Sequence, residues 1–232
     1  MFKQTGFLVA RRSSRSSVSG LLRLTSALAV LAIFAPAVSA AATAEDKTQF
    51  SVTAGSLSFS TAPALPTLGT ITLNGSAQST NATMTNLGVA DATGSGSGWN
   101  VTVEGQSGTG KSAVFAQYCP KAKCGAESEG YIGGGQTLAA NSLTLNSTGA
   151  SFTAQGGSTG TAPTLQCSTA CNVDHASAVK VASAAVSAGM GTWLTGAFSG
   201  TSLALATPTT LKVLPSEEVY RVNLLWTLGT GP

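Results

Sequence analysis

Residues 219–228 alternate apolar and polar side chains, and this pattern constrains the fold more than any other part of the sequence. Side chains alternate across a β-strand, so residues two positions apart share one face. One face is mostly polar and consists of Val219, Arg221, Asn223, Leu225 and Thr227. The apolar face consists of Tyr220, Val222, Leu224, Trp226 and Leu228. The pattern therefore predicts a strand that packs one face against a core.

Residues 99–104, far upstream, repeat this arrangement. One face carries Trp99, Val101 and Val103, and the other carries Asn100, Thr102 and Glu104. In both segments a tryptophan is followed, two positions later, by an aliphatic residue on the same face. We expect these two strands to be the centre around which the chain folds.

Residues 1–40 have the three parts of a secretory signal peptide. A basic stretch precedes an apolar run at 24–37, and small residues at 38–42 offer cleavage positions. A membrane anchor is the alternative, but Pro36 ends the run before the roughly 20 residues that a span needs. The arginine pair at 11–12 suits a twin-arginine signal poorly, so we expect general secretory export and no membrane association after cleavage. Residues 41–47 are a linker.

The charge balance changes once the signal is removed. The chain of 232 residues has a formal net charge of +3, five cations lie in residues 1–40, and the rest therefore carries −2. The basic isoelectric point gives no support for binding to nucleic acid or to a membrane surface. Charged residues make up only 9% of the chain, so Ser, Thr, Gly and Asn must form the surface. Such a composition is common in exported β-proteins of cell surfaces.

Short strand-like runs separated by turn residues suit one domain over residues 48–232. The first strand is expected to begin near Thr48. Further strands are predicted at 70–73, 79–86, 143–145, 151–154, 203–205 and 210–213. Residues 105–210 otherwise resemble long loops, and 176–188 fit a strand or a short helix. The predicted fold is an all-β antiparallel β-sandwich, immunoglobulin-like, with 105–210 as a long irregular insertion.

An even number of cysteines follows the signal: Cys119, Cys124, Cys167 and Cys171. Local pairing would staple two loops, whereas crossed pairing would join distant segments, and the spacing leaves these arrangements open. A zinc site that includes His175 is another interpretation. Zinc sites usually contain CxxC pairs, however, and the exported compartment is oxidising. We therefore expect disulfides and no metal.

Residues 105–112 fit the phosphate-loop pattern G-x-x-x-x-G-K-S/T and follow a predicted strand. In a nucleotide-binding protein Lys111 would reach the terminal phosphates, and Ser112, at the start of a short helix over 112–118, would hold magnesium. Exported proteins meet little nucleoside triphosphate, and Pro120 would stop that helix early. Nucleotide binding is therefore a remote alternative.

Other catalytic patterns are weaker still. His175 is the single histidine, and no serine has the G-x-S-x-G setting of a hydrolase nucleophile. Glu217 and Glu218 are adjacent and suit a turn better than a pair of glycosidase carboxylates. We expect no catalytic residue and no cofactor.

The tryptophans have two interpretations. Tryptophan faces stack on sugar rings in many exported β-sandwiches, but tryptophan is also the side chain that buries the most area in a core. Trp99 and Trp226 share their faces with valine and leucine, which favours the core. Trp193 follows a Gly-rich stretch, and we expect it to be the exposed aromatic.

Residues 96–103 and 220–228 together resemble the WxL domain of Gram-positive bacterial surface proteins. That family has two Trp-x-Leu motifs, one after a Gly-rich turn and one near the C-terminus. The second motif is complete here in Trp226, Thr227 and Leu228, whereas the first has Val101 in the place of leucine. The resemblance spans about residues 50–232, and Val101 keeps an aliphatic side chain on the same face.

The resemblance implies an exported, non-enzymatic protein outside the cell that attaches non-covalently to the wall through peptidoglycan. The motif residues would then be the wall-binding ones: Trp99, Val101, Trp226 and Leu228. With the two strands side by side, a shallow groove lined by Asn100, Thr102, Asn223 and Thr227 would meet glycan or peptide. The alternative is a structural or adhesive subunit whose sandwich binds other surface proteins.

Overall fold

A computed structural model of the chain describes residues 47–120, 124, 128–215 and 217–232. The predicted signal peptide, residues 1–40, and linker residues 41–46 lie outside the described residues. The part from Phe50 to Pro232 forms one compact unit. Over the described ranges we find no helix with the length and hydropathy of a membrane span.

Within these ranges, fifteen strands form four antiparallel sheets. The strands are β1 (Leu57–Thr61), β2 (Gln78–Ala82), β3 (Gly88–Asp91), β4 (Trp99–Gly105), β5 (Ala116–Cys119), β6 (Gly130–Tyr131), β7 (Leu143–Leu145), β8 (Phe152–Gln155), β9 (Thr164–Leu165), β10 (Cys171–Asn172), β11 (Val179–Ala184), β12 (Gly191–Thr195), β13 (Leu203–Thr207), β14 (Val219–Arg221) and β15 (Leu224–Thr230). The strand orders are β1-β3-β12-β8, β10-β7-β13-β2, β15-β4-β11-β9 and β14-β5-β6. The segment 105–210 contributes strands to every sheet.

One hydrophobic core joins these sheets. It contains Trp99 and Val101 from β4, Trp193 from β12 and Leu203 from β13. The ring of Trp99 meets that of Phe152 in β8 edge-on, with their centroids 6.0 Å apart. The prediction of an all-β antiparallel sandwich is confirmed, whereas its immunoglobulin-like character and the domain boundaries stay predictions.

The two tryptophan strands pair directly. β4 and β15 are antiparallel neighbours, with Leu228 opposite Val101 and Trp226 opposite Val103. Directly opposed residues of an antiparallel pair lie on the same face. The aliphatic positions of the two strands therefore pack together against the core, where Val101 and Val103 are fully buried. The expectation that these strands lie close together is confirmed.

Trp99 is fully buried, with 0% of its surface exposed. Its indole N–H donates a hydrogen bond to the carbonyl oxygen of Gly189 at 3.1 Å, so its polar atom is also satisfied. A Cβ at position 189 would lie 2.7 Å from the indole nitrogen, so glycine is needed there. Gly98, with φ +74°, is needed as well, because a Cβ there would overlap the carbonyl oxygen of Ala184.

Three predicted strands are wrong. The first strand begins at Leu57, not near Thr48, and residues 50–54 have no strand partner in the described chain. Residues 70–73 form no strand, and the Gln78 side chain bonds to the carbonyl oxygen of Thr72. Residues 210–213 leave a turn in which Leu211 donates to the Pro208 carbonyl oxygen. In each case the alternation is present, but no neighbouring strand lies in register with it.

The predicted strand at 219–228 is divided in two. β14 pairs with β5, whereas β15 pairs with β4. The division falls at Asn223, whose backbone N–H donates to the Ser112 carbonyl oxygen instead of continuing either ladder. The predicted alternation nevertheless persists through the break. The apolar positions all pack partly buried against the core: Tyr220, Val222, Leu224, Trp226 and Leu228.

We predict that Trp99→Ala lowers the free energy of unfolding by about 3–5 kcal/mol, because it leaves a large cavity under β4. Trp226→Ala removes the same side chain from a half-buried position and should cost clearly less. Urea titration of both variants, with the disulfides oxidised, measures the difference. An equal or smaller loss for Trp99→Ala would contradict the assignment of this ring to the core.

Candidate functional site

The outer face of the β15-β4-β11-β9 sheet is mostly polar, although Leu225 of β15 is exposed on it opposite Glu104. One row crosses the sheet through Thr227, Thr102 and Lys180, which oppose one another in register. Thr227 and Lys180 are exposed, and Thr102 is partly exposed. A single strand with this pattern is ordinary, but here the pattern continues into both neighbours of β4.

A second row runs parallel to the first and extends it to the edge strand β9. Asn100 lies opposite Gly229 on one side and Ser183 on the other, and Ser183 lies opposite Thr164. The amide nitrogen of Gln166 donates to the hydroxyls of Thr164 and Ser183 at 3.0 and 2.9 Å. We call the surface formed by both rows and Gln166 the polar sheet face. It presents hydroxyls, amides and one ammonium group.

A bulge in β11 determines which of its side chains point to the polar sheet face. The register shifts between Lys180 and Ala182, so Val181 and Ala182 are both buried while Lys180 and Ser183 point outward. From the sequence alone, residues 176–188 fitted either a strand or a short helix. Lys180 and Ser183 were therefore not predicted as neighbours of Thr102 and Asn100. The polar position between Val179 and Val181 was the available signal.

Of the four residues predicted to line a groove, three lie on the polar sheet face: Asn100, Thr102 and Thr227. The side-chain amide of Asn100 also donates to the Gly231 carbonyl oxygen at 2.8 Å, which holds the end of the chain against β4. Asn223 lies apart, just before β15. Its side-chain oxygen accepts hydrogen bonds from the Tyr131 hydroxyl at 2.6 Å and the Ser112 N–H at 3.3 Å.

The four motif residues lie on the opposite face of the same two strands. Trp99 and Val101 are fully buried, and Trp226 and Leu228 are partly buried against the core. The motif residues therefore lie on the inner face of the two strands whose outer face belongs to the polar sheet face. A direct contact between these four side chains and the wall stays a prediction.

The expectation that Trp193 is exposed is wrong. Only 4% of its surface is exposed, and its indole N–H donates to the Met190 carbonyl oxygen at 2.9 Å. Trp193 lies in β12, between β3 and β8, where the sheet presents it to the core. The Gly-rich residues before it are a turn that leads into the strand, and they say nothing about which face the ring occupies.

The phosphate-loop pattern folds as the end of β4 followed by a tight turn. Lys111 donates its backbone N–H to the Gly108 carbonyl oxygen at 3.0 Å, which closes the turn, and its side chain is exposed. The predicted helix over 112–118 is wrong, because β5 begins at Ala116 and the described residues contain no helix. A phosphate cradle depends on amides at a helix start, and this turn lacks that support.

The cysteines pair locally, which is one of the arrangements that the sequence left open. Cys119 bonds to Cys124 and Cys167 bonds to Cys171. The second disulfide links the chain after β9 to the start of β10, and thereby borders the sheet that carries the polar sheet face. Among the described residues, no group of three or more His, Cys, Asp or Glu side chains is placed to hold a metal ion.

A small aromatic cluster flanks the start of β15. The Arg221 guanidinium lies 4.1 Å from the centre of the Tyr118 ring, which in turn meets Tyr131 edge-on at 5.0 Å. Burial raises the pKa of Tyr131 above its ordinary value, and the charge of Arg221 opposes this shift. Because Tyr131 bonds to Asn223, the cluster fixes the point at which the chain enters β15.

Comparison with known families identifies the chain as a surface domain. The family described as "WxL domain surface cell wall-binding" matches residues 40–232. The chain therefore belongs to the WxL family, which confirms the resemblance noted in the two tryptophan motifs. It is a surface domain of the cell-wall-binding class. Searches of curated proteins and of solved structures give no significant match.

Asp174 is a fully buried carboxylate before β11. One oxygen accepts a hydrogen bond from the Ser142 N–H at 3.0 Å, and the other has no hydrogen-bond partner among the described residues. Burial raises the pKa of Asp174, while nearby backbone N–H groups and His175 oppose the shift. The folded state therefore holds a proton over a pH interval in which the unfolded chain has lost it.

We predict that the free energy of unfolding falls as the pH rises through this interval, from the ordinary aspartate pKa to the raised pKa of Asp174. Asp174→Asn should remove this part of the pH dependence, because the amide does not titrate. Urea titrations of both proteins at pH values from about 3 to about 8 give the comparison. A difference between them that is constant with pH, or that changes in the opposite direction, would contradict this account.

Proposed function

We propose that this protein is exported and attaches non-covalently to peptidoglycan, and that the polar sheet face makes the contact. The observation that carries the proposal is the continuity of that face: two rows of polar side chains, each in register across three adjacent strands, together reach all four strands of the sheet. Glycan strands present hydroxyl and N-acetyl groups in rows. Hydroxyl and amide side chains on a flat sheet are matched to such groups as hydrogen-bond donors and acceptors.

The charge on this face is suited to the peptide part of the polymer. Lys180 is exposed in the row that contains Thr102 and Thr227. An ammonium group at this point attracts the carboxylates of stem peptides, and a rim charge acts mainly on encounter and salt dependence. The proposed contact therefore combines neutral hydrogen bonds along the glycan with one cation beside the peptide.

In this proposal the tryptophan motif has a structural role. Trp99 and Val101 are completely buried, so they have no surface to offer a polymer. Their contribution is to fix β4 against the core, which holds Asn100 and Thr102 in place on the outer side. Trp226 and Leu228 do the same for β15, opposite them.

We predict that the wild-type protein pellets with purified peptidoglycan sacculi and that Thr102→Ala with Thr227→Ala weakens this binding at least about tenfold. The paired variant removes two hydroxyls from the centre of the polar sheet face without touching the core. Bound protein should be released by hot detergent, as expected for non-covalent attachment. A folded wild type that stays in the supernatant would refute wall binding.

The matched control is Thr153→Ala with Thr192→Ala. These two threonines lie on β8 and β12, and their outward-facing hydroxyls belong to the β1-β3-β12-β8 sheet. This variant should bind sacculi like the wild type. If it loses binding equally, or if the Thr102 and Thr227 variant keeps it, the contact lies elsewhere on the molecule.

We also propose that the protein is not an enzyme. As far as the structure describes the chain, the residues of the polar sheet face include no histidine and no acidic side chain, and Glu104 lies beside it on β4. Sacculi incubated with the protein should therefore release no soluble muropeptides. Release that depends on Glu104, tested with Glu104→Gln, would contradict this part of the proposal.

A further inference from the structure

An unpaired edge strand and an unpaired strand-like segment lie in the same molecule. Among the described residues, β15 is the edge of its sheet and pairs only with β4. Its sequence, from Leu224 to Thr230, has seven residues with no charge and no proline. Long, uncharged edges are a liability that proteins normally cover or interrupt with charge. We therefore expect another chain segment to cover this edge.

The backbone hydrogen bonds show which groups of β15 face outward. Gly231 donates to the Gly98 carbonyl oxygen, and Asn223 accepts from the Gln106 N–H, so the odd positions face β4. Gly105, opposite Leu224, instead donates to the His175 carbonyl oxygen, away from β15. The even positions consequently direct their N–H and C=O groups to the open edge: Leu224, Trp226, Leu228 and Thr230.

Residues 50–54 alternate like a strand but pair with no strand among the described residues. Phe50 and Val52 are 90% and 82% exposed, although they alternate with Ser51 and Thr53 as in a half-buried strand. Residues 50–54 make no hydrogen bond to any other described residue. Two large apolar side chains this exposed to water mark a surface that is covered in another state.

The geometry argues against pairing within one molecule. Gly55 donates to the Ala92 carbonyl oxygen and Ser56 accepts from the Ala92 N–H, so these residues continue the β1–β3 ladder. Residues 50–54 therefore lead into the start of β1, which pairs with β3 in the neighbouring sheet. In the described structure these residues pair with no strand of their own molecule, β15 included.

We propose that residues 50–54 of one copy add as a further strand to the free edge of β15 in a second copy. Phe50, Val52 and Ala54 then extend the half-buried face of Trp226 and Leu228, and the serine and threonine extend the polar sheet face. Each copy carries one donor segment and one acceptor edge. Two copies that exchange segments form a closed dimer, and one-way addition builds a chain of molecules, so in both cases the average mass rises with concentration.

Sedimentation velocity of the full chain, as recovered from the cell surface and without wall material, tests the proposal. The average mass of the wild type should rise with concentration. Phe50→Asp with Val52→Asp should weaken the association at least about tenfold, because it places charge on the face to be buried. Ser51→Asp with Thr53→Asp adds the same charge to the same segment on its other face, and should retain most of the association.

The acceptor edge is tested with Thr230→Pro. This change removes an outward N–H without breaking a bond to β4, whereas Thr230→Ala keeps the N–H and serves as its control. Thr230→Pro should abolish association, and urea titration of each variant verifies its folding. A wild type that remains a single chain at every concentration overturns the proposal. Association that survives both the Phe50 and Val52 variant and a folded Thr230→Pro also overturns it.

Discussion

β4 and β15 lie side by side as antiparallel strands, and the other layers of the protein are arranged around that pair. Its inner face carries both tryptophan motifs, with Leu228 set opposite Val101. Burial of these side chains supplies the main driving force for folding, because apolar area removed from water is its dominant favourable term. Trp99 is fully buried in the core, where it meets Phe152 from another sheet.

The same pairing connects the family motif to the surface that we propose as functional. Alternation means that a strand cannot bury Trp99 and Val101 without presenting Asn100 and Thr102 on its other side. The motif and the polar sheet face are therefore two sides of one structure. If the proposed function is right, the sequence motif of the family consists of buried residues, and the wall contact is made by exposed residues on the other side of the same strands.

Alternation in the sequence was sufficient to predict the two central strands, the faces of their residues and the all-β class. It failed where a strand depends on its neighbours, since residues 50–54 and 70–73 alternate but have no partner in register. The burial of Trp193 and the division at Asn223 depend on contacts from distant segments, which no local pattern encodes. Lys180 was missed for a related reason, because a bulge in β11 determines its direction.

The central claim is that the polar sheet face, and not the tryptophan side, contacts the wall. Chemical-shift mapping by NMR with soluble peptidoglycan fragments tests it most directly. We predict that the largest changes occur at the amides of Thr102, Lys180 and Thr227, while the indole N–H of Trp99 keeps its position because it stays bonded to Gly189. Changes concentrated in the loops or at the opposite sheet, with the polar sheet face unaffected, would contradict the account.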